Sequence, residues 1–310
     1  MTYARSYPDI IAPWAEANDV PLLSNALHRY SDAQERLLHM WTYDCPHAID
    51  AGGYNVQSTF VTRDGELDAD ITGDDIVKEL CTPSPFYPWT VEDYHQWLAD
   101  YDDEVTWASA MDYACSELFD GLWSSDDRIE TTFQNTLRQY ERLEDSSADY
   151  QLLPVLQGTT PDEHVAFYER LEDHGLPTDH VGLGSITGIS NDPEIVDYEQ
   201  AVRSRIDPEI IHGFGVKIEA FQYGSEFESA DTQAWLYPAM NEYVSVDIGN
   251  RLARFNIPGN LKARKVESFK SYYSYVTRLQ QGESAVDYES PAVNASSDKE
   301  AQQIFADIYS

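Results

Sequence analysis

A few polar residues stand where apolar runs of the chain stop. They are Asp50 of Asp50-Ala51-Gly52-Gly53, Asp112, Gln157-Gly158, Gly184-Ser185, His212-Gly213 and Asp231. An aspartate just past a strand often serves only to cap the next helix. Three carboxylates at run ends instead describe one acidic site, in which a nucleophile and a proton carrier can be separate groups. His212 reads equally well as a structural histidine. Metal chemistry is not expected. Cys45, Cys81 and Cys115 are widely spaced, odd in number and without a CxxC pair, which suits reduced thiols.

The elements that must hold these residues follow a βαβα rhythm. Short apolar runs cover Val20 to Ala26, Ala48 to Tyr54, Thr106 to Asp112, Leu152 to Gly158, His180 to Ser185 and Ile210 to Val216, and another ends near Asp231. These are seven strand candidates, with an eighth not evident. Between them lie helices with readable starts. Thr160-Pro161-Asp162-Glu163 supplies a cap, a first-turn proline and a capping-box glutamate, and predicts a helix running to about Gly175. Ile129, Phe133, Leu137, Tyr140 and Leu143 recur at helical spacing and predict one buried face on a helix from Ser125 to Leu143. Alternation of this kind predicts an α/β fold with parallel strands, best matched by a (β/α)8 TIM-like barrel whose site sits at the C-terminal strand mouths. An open doubly wound sheet is the alternative, but no GxGxxG turn follows its first strand. The barrel is expected over 1–281, followed by a linker and a short C-terminal helix, Asp298 to Tyr309, in 282–310.

Composition narrows the setting. The 310 residues carry 55 acidic and 20 basic side chains, a formal charge of −35 that repels itself strongly in dilute buffer. At 1 M salt the Debye length is about 3 Å, so the surface reads as halophilic adaptation. The acids are dispersed, which argues against a tail mimicking nucleic acid. No run is long and apolar enough for a membrane span. Met1 to Pro13 lacks the pattern of a secretory leader, so a cytoplasmic location is expected.

Ala48-Ile49-Asp50-Ala51-Gly52-Gly53-Tyr54 resembles the D-S-G-G-F motif of the tRNA-guanine transglycosylases. Later segments keep the family's order. Met111-Asp112-Tyr113-Ala114-Cys115 is similar to the base-reading segment, Val155-Leu156-Gln157-Gly158 to the V-Q-G turn, and Val181-Gly182-Leu183-Gly184-Ser185 to the glycine-rich strand end. Ile211-His212-Gly213-Phe214-Gly215 resembles the strand before the catalytic one, and Phe227-Glu228-Ser229-Ala230-Asp231 the nucleophile segment. Ser-Ala-Asp-Thr ahead of Ala234-Trp235 is most similar to the DNA-guanine transglycosylase (DpdA-type) branch, which installs 7-deazaguanine derivatives in DNA.

The resemblance implies that Asp231 captures the ribosyl C1′ as a covalent glycosyl-enzyme, while Asp50 moves the proton as one base leaves and another attacks. Asp112 would accept from the guanine N1–H and amino group. Gln157, Gly158 and the backbone around Gly184 and Ser185 would serve O6, and Tyr54 would stack on the base. No cofactor is implied beyond the incoming 7-deazaguanine base. One departure is clear: the family's zinc subdomain, with its C-x-C-x-x-C run, is missing, because no cysteine follows Cys115.

Residues 251–281 reverse the charge of the chain, with Arg251, Arg254, Lys262, Arg264, Lys265, Lys270 and Arg278 against Glu267 alone. With Phe269, Tyr272, Tyr273 and Tyr275 interleaved, the segment predicts a groove for phosphates and unstacked bases. The alternative is a solvated surface helix, with Val266, Phe269, Tyr273 and Val276 inward and Arg264, Lys270 and Arg278 outward. DNA is the expected partner. Only about thirty residues follow Gln281, too few for the RNA-binding domain appended to archaeal tRNA enzymes. A tRNA substrate is the second expectation, a non-catalytic nucleic-acid-binding barrel subunit the third. A glycoside hydrolase on the same fold would call for a long open cleft.

Overall fold

The computed structural model describes residues 2–5, 8–18, 20–27, 43–62, 64–232, 236–248, 251–256, 261–281, 290 and 297–309. Its strands are β1 Thr2–Arg5, β2 Leu22–Asn25, β3 His47–Asp50, β4 Trp107–Ser109, β5 Gln151–Leu153, β6 Val155–Leu156, β7 His180–Leu183, β8 Ile210–Gly213, β9 Ser229–Thr232, β10 Tyr243–Asp247 and β11 Leu252–Asn256. The helices are α1 Pro8–Ala17, α2 Gly53–Ser58, α3 Gly73–Leu80, α4 Val91–Ala99, α5 Ser125–Glu144, α6 Pro161–Asp173, α7 Glu194–Arg203, α8 Ile218–Tyr223, α9 Leu236–Met240, α10 Leu261–Gln281 and α11 Asp298–Tyr309. Among the described residues, no helix is long and apolar enough to cross a membrane.

Nine strand segments form one parallel sheet in the order β5-β4-β3-β2-β1-β9-β8-β7-β6. The strand that the sequence left unidentified is β1, which joins β2 to β9. The two segments at the ends of that order, β5 and β6, are halves of one run interrupted at Pro154. Proline has no N–H for a ladder, yet the Pro154 carbonyl still accepts from Gly182 N–H at 2.8 Å.

Strands buried on both faces read as unbroken apolar runs. Leu22, Ile49, Ala108, Leu152 and Ile211 face the helices. Their neighbours Leu23, Ala48, Trp107 and Leu153 form a separate inner cluster with Phe214. Side chains alternate along a strand, so two residues beyond this apolar tier the same inner face carries Asn25, Asp50 and Ser109, all buried. The apolar tier is therefore the floor of a polar one.

The strands stop earlier than the sequence suggests. β3 ends at Asp50, and Tyr54 stands on α2. β4 ends at Ser109, so the backbone of 110–115 needs partners elsewhere. Helix α5 supplies them. Its Phe133 and Tyr140 are buried as expected, but Ile129, Leu137 and Leu143 are only partly covered, while Arg128, Thr132, Asn135, Thr136 and Gln139 are wholly buried. Gln139 Oε1 accepts from Met111 N–H at 2.7 Å, Asn135 Nδ2 donates to Met111 O at 3.2 Å, and Thr132 Oγ1 accepts from Tyr113 N–H at 2.9 Å. A buried backbone group without a partner costs about 1–3 kcal/mol, so these side chains are what fix Asp112 in place. The capping box of α6 forms as expected, with Pro161 in the first turn.

The segment after β9 departs from expectation. β10 and β11 form an antiparallel pair. Helix α10 packs on β10 and also meets α1, α8, α9 and β1. On the other face of the pair, Val244, Val246, Ala253 and Phe255 cluster with Ala301 of α11. Helix α11 occupies the span expected of the last helix, whereas most of the linker before it lies outside the described residues.

Candidate active site

Asp50 ends β3 opposite Asn25, its register partner on β2. Its Oδ1 accepts from Gly52 N–H at 2.9 Å, and its Oδ2 accepts from Asn25 Nδ2 at 3.3 Å. Gly52 has φ +91, and a Cβ there would lie 2.7 Å from Asn25 Oδ1. The glycine thus allows both the left-handed turn and the seating of Asn25. Gly53 permits a close approach instead, since a Cβ on it would fall 2.3 Å from the Asp112 carbonyl oxygen and 2.6 Å from Asp112 Oδ1. The two glycines after Asp50 therefore bring its loop against Asp112.

Asp112 is tied to the next two strand ends. Gln157 Nε2 donates to Asp112 Oδ2 at 2.6 Å, and Ser185 Oγ donates to Gln157 Oε1 at 2.5 Å. Gly184 makes room for this, since a Cβ there would meet Gln157 Nε2 at 2.5 Å. Gly158 serves packing, with a virtual Cβ 2.8 Å from the Glu163 Cβ. Tyr87 donates its hydroxyl to the Asp112 carbonyl at 2.9 Å. Burial first, then Asp112, Tyr113 and Asp50, push the Tyr87 phenol well above its ordinary range.

Asp231 lies wholly buried on β9. The turn at Gly215, with φ +66, aims its N–H at Asp231 Oδ1, 2.8 Å away. His212 Nε2 is 3.6 Å from the same oxygen, and His212 Nδ1 is 2.9 Å from Ser229 Oγ. Burial pushes the imidazole below its usual value, while Asp231 and Asp50 pull it the other way. The ring rests edge-on against Trp107 of the floor at 5.0 Å.

The structure brings Asp50, Asp112, Gln157, Gly184 and Ser185 into one hydrogen-bonded and packed unit, and sets Asp231 beside His212 and Gly215. Tyr54 is 48% exposed and meets Phe119 edge-on at 5.2 Å. Sequence reasoning misses Asn25, although the strand-end rule that singles out Asp50 applies to it equally. Cys115 offers no nucleophile, because burial pushes its thiol up to about 12. No cluster of metal-ligating side chains occurs among the described residues.

The basic segment is divided. Phe269, Tyr272, Tyr273 and Tyr275 are buried and so offer no stacking platform. Arg264 and Lys265 are buried too, with Arg264 Nε donating to Ala239 O at 3.0 Å. Arg278 Nη2 reaches both Asp247 oxygens at 2.7 Å. Lys270 is half-buried, 5.8 Å above the Trp14 ring. On α10, then, the aromatic side chains face the interior, and Arg264, Lys270 and Arg278 contact Ala239 of α9, Trp14 of α1 and Asp247 of β10. Arg251 and Arg254 are exposed, and the side chain of Lys262 lies outside the described residues.

Comparison with known proteins completes the picture. No curated protein matches the chain. Among solved structures, a psychrophilic glycoside hydrolase family 10 endo-β-1,4-xylanase shares 8% identity at a TM-score of 0.40, over 85% of this chain and 96% of its own, too distant to carry weight. Residues 80–305, which include Asp112, Gln157, Ser185, His212 and Asp231, match the family model DpdA, "DeoxyPurine in DNA protein A", and the chain belongs to that family.

Proposed function

We propose that the protein exchanges guanine in DNA for a 7-deazaguanine base through a covalent glycosyl-aspartate. The observation that carries this reading is the gathering of Asp50, Asp112, Gln157 and Ser185 at strand ends of one sheet, with Asp231 wholly buried on β9 of that sheet and facing Gly215 N–H and His212. Family membership supplies the substrate class, a deoxypurine in DNA. We also infer that the sheet closes as a (β/α)8 barrel, since β5 and β6 belong to one run that pairs with β4 on one side and β7 on the other. The strand ends carrying the site then form its C-terminal mouth.

An Asp231 oxygen attacks C1′ of the target nucleotide as the bond from C1′ to guanine N9 breaks. The electron pair leaves with guanine, which takes a proton from the Asp50 carboxyl. The incoming base returns a proton to Asp50 as its own nitrogen bonds C1′ and expels Asp231 as carboxylate. Asp112 accepts from the donor edge of the base. A guanine stacked in a duplex is out of reach, so it must be flipped out or presented single-stranded, at a cost on the order of a few kcal/mol. Phosphate contacts by the exposed Arg251 and Arg254 offset part of that cost.

The test is incubation with radiolabelled guanine and either DNA or tRNA, side by side in high salt. Label is expected in DNA, and not with Asp231→Asn, an isosteric change that retains the fold. Label entering tRNA alone would move the assignment to the tRNA reaction. Undiminished exchange by Asp231→Asn would reject its role as nucleophile.

A further inference from the structure

We infer that Ser185 sets the orientation of the Gln157 amide and thereby determines which hydrogen-bonding edge of a base the site accepts. The inference rests on the base-exchange reading and deepens it. Three hydrogen bonds run in one direction. Cys115 N–H donates to Ser185 Oγ at 2.7 Å, Ser185 O–H to Gln157 Oε1 at 2.5 Å, and Gln157 Nε2–H to Asp112 Oδ2 at 2.6 Å. The two ends allow no other order. A backbone N–H only donates, and an ionised carboxylate only accepts. Turning the amide round would set its carbonyl oxygen against the Asp112 oxygen and take from the Ser185 O–H its acceptor, Gln157 Oε1.

The chain is built into the backbone. Ser185 sits at φ +60, a left-handed position, and Gly184 lacks the Cβ that would collide with the Gln157 amide. Cys115 closes the 110–115 segment that α5 holds. So oriented, the edge offers acceptors on Asp112 and the remaining amide hydrogen of Gln157. That pattern fits a purine with N1–H and a 2-amino group as donors beside a 6-oxo acceptor. A 6-amino purine such as 2,6-diaminopurine places a donor against the amide hydrogen and an acceptor, N1, against the carboxylate. Without the Ser185 hydroxyl, Gln157 Oε1 has lost its donor and Asp112 alone opposes a turn of the amide toward a 6-amino group.

The experiment compares guanine with 2,6-diaminopurine, by calorimetric binding of the free bases and by competition for exchange into DNA, using wild type, Ser185→Gly and Ser185→Ala. Glycine relaxes the left-handed backbone and alanine keeps it strained, but both remove the hydroxyl. Both are expected to raise the KM for guanine about tenfold and cut the preference for guanine at least about tenfold, with kcat at saturating guanine within a few-fold of wild type. An unchanged preference in both variants overturns the inference, as does a change seen with alanine alone, which would trace to backbone strain. Wild type that prefers guanine while the variants match it sinks only the role of Ser185. Wild type that binds and exchanges neither base takes down the proposed function, and the inference with it.

Discussion

Gly53→Ala is a small change whose consequence can be worked from distances. Gly53 opens α2, where alanine is favoured over glycine by up to about 1 kcal/mol, so local propensity alone predicts stabilisation. The added methyl would sit 2.3 Å from the Asp112 carbonyl oxygen, 2.6 Å from Oδ1 and 2.8 Å from the carbonyl carbon. Asp112 cannot yield cheaply, because Tyr87 holds its carbonyl and α5 side chains hold both neighbouring residues. The Asp50 loop must therefore retreat by at least about 0.7 Å, and a misplacement near 1 Å costs about 100-fold in rate. The expected loss in kcat/KM for guanine exchange into DNA is thus about 100-fold, or about 2.7 kcal/mol, with the melting temperature lowered by only a few degrees. Gly73→Ala is the control, since it opens α3 with nothing within 4 Å of the added methyl. The assay is labelled-guanine incorporation at several base concentrations, alongside thermal melts of both variants. Wild-type kcat/KM in Gly53→Ala, or a loss no larger than that of Gly73→Ala, refutes the reasoning.

Asn25→Leu removes a donor to Asp50 Oδ2 and the acceptor of Leu27 N–H; it is expected to lower kcat about tenfold with little change in the KM for guanine, and an unchanged kcat would dismiss Asn25 as a positioning residue. Replacing Arg251 and Arg254 together by Gln should flatten the plot of log affinity for duplex DNA against log salt by about 1.8 in slope. Arg264→Gln, in a buried helix, should destabilise the fold without altering that slope, and the reverse pattern would return α10 to the DNA interface. Burial lowers His47, His164 and His212 from 6.5, and His180 to about 4. The unfolded chain therefore binds more protons below pH 6.5, and stability present above that pH drains as it falls toward 4. A denaturation midpoint that stays level from pH 7.5 to 4.5, at fixed high salt, would contradict those buried neutral rings.

What can be read from the sequence depends on how far each residue lies from its partner. The seven apolar runs are legible because a strand covered on both faces announces itself within four or five residues, and the carboxylates follow by standing where those runs end. β1 gives no such signal: Thr2-Tyr3-Ala4-Arg5 is half polar, and it is a strand because β2 and β9 flank it. Asn25 satisfies the strand-end rule but is inconspicuous beside three aspartates, and its importance arises only from its pairing with Asp50. On α5 the apolar stripe is visible and the polar stripe next to it is not, since Thr132, Asn135 and Gln139 are inward-facing only because β4 stops at Ser109 and leaves unpaired backbone beyond it. Helix α10 shows the same limit from the other side. Its expected inward residues Phe269, Tyr273 and Val276 are buried, but so are Tyr272, Tyr275, Arg264 and Lys265, and periodicity cannot tell a solvated arginine from one that reaches Asp247 on a neighbouring strand. Burial of a polar side chain is a statement about its partner, and a partner supplied by another element leaves no mark in the local pattern.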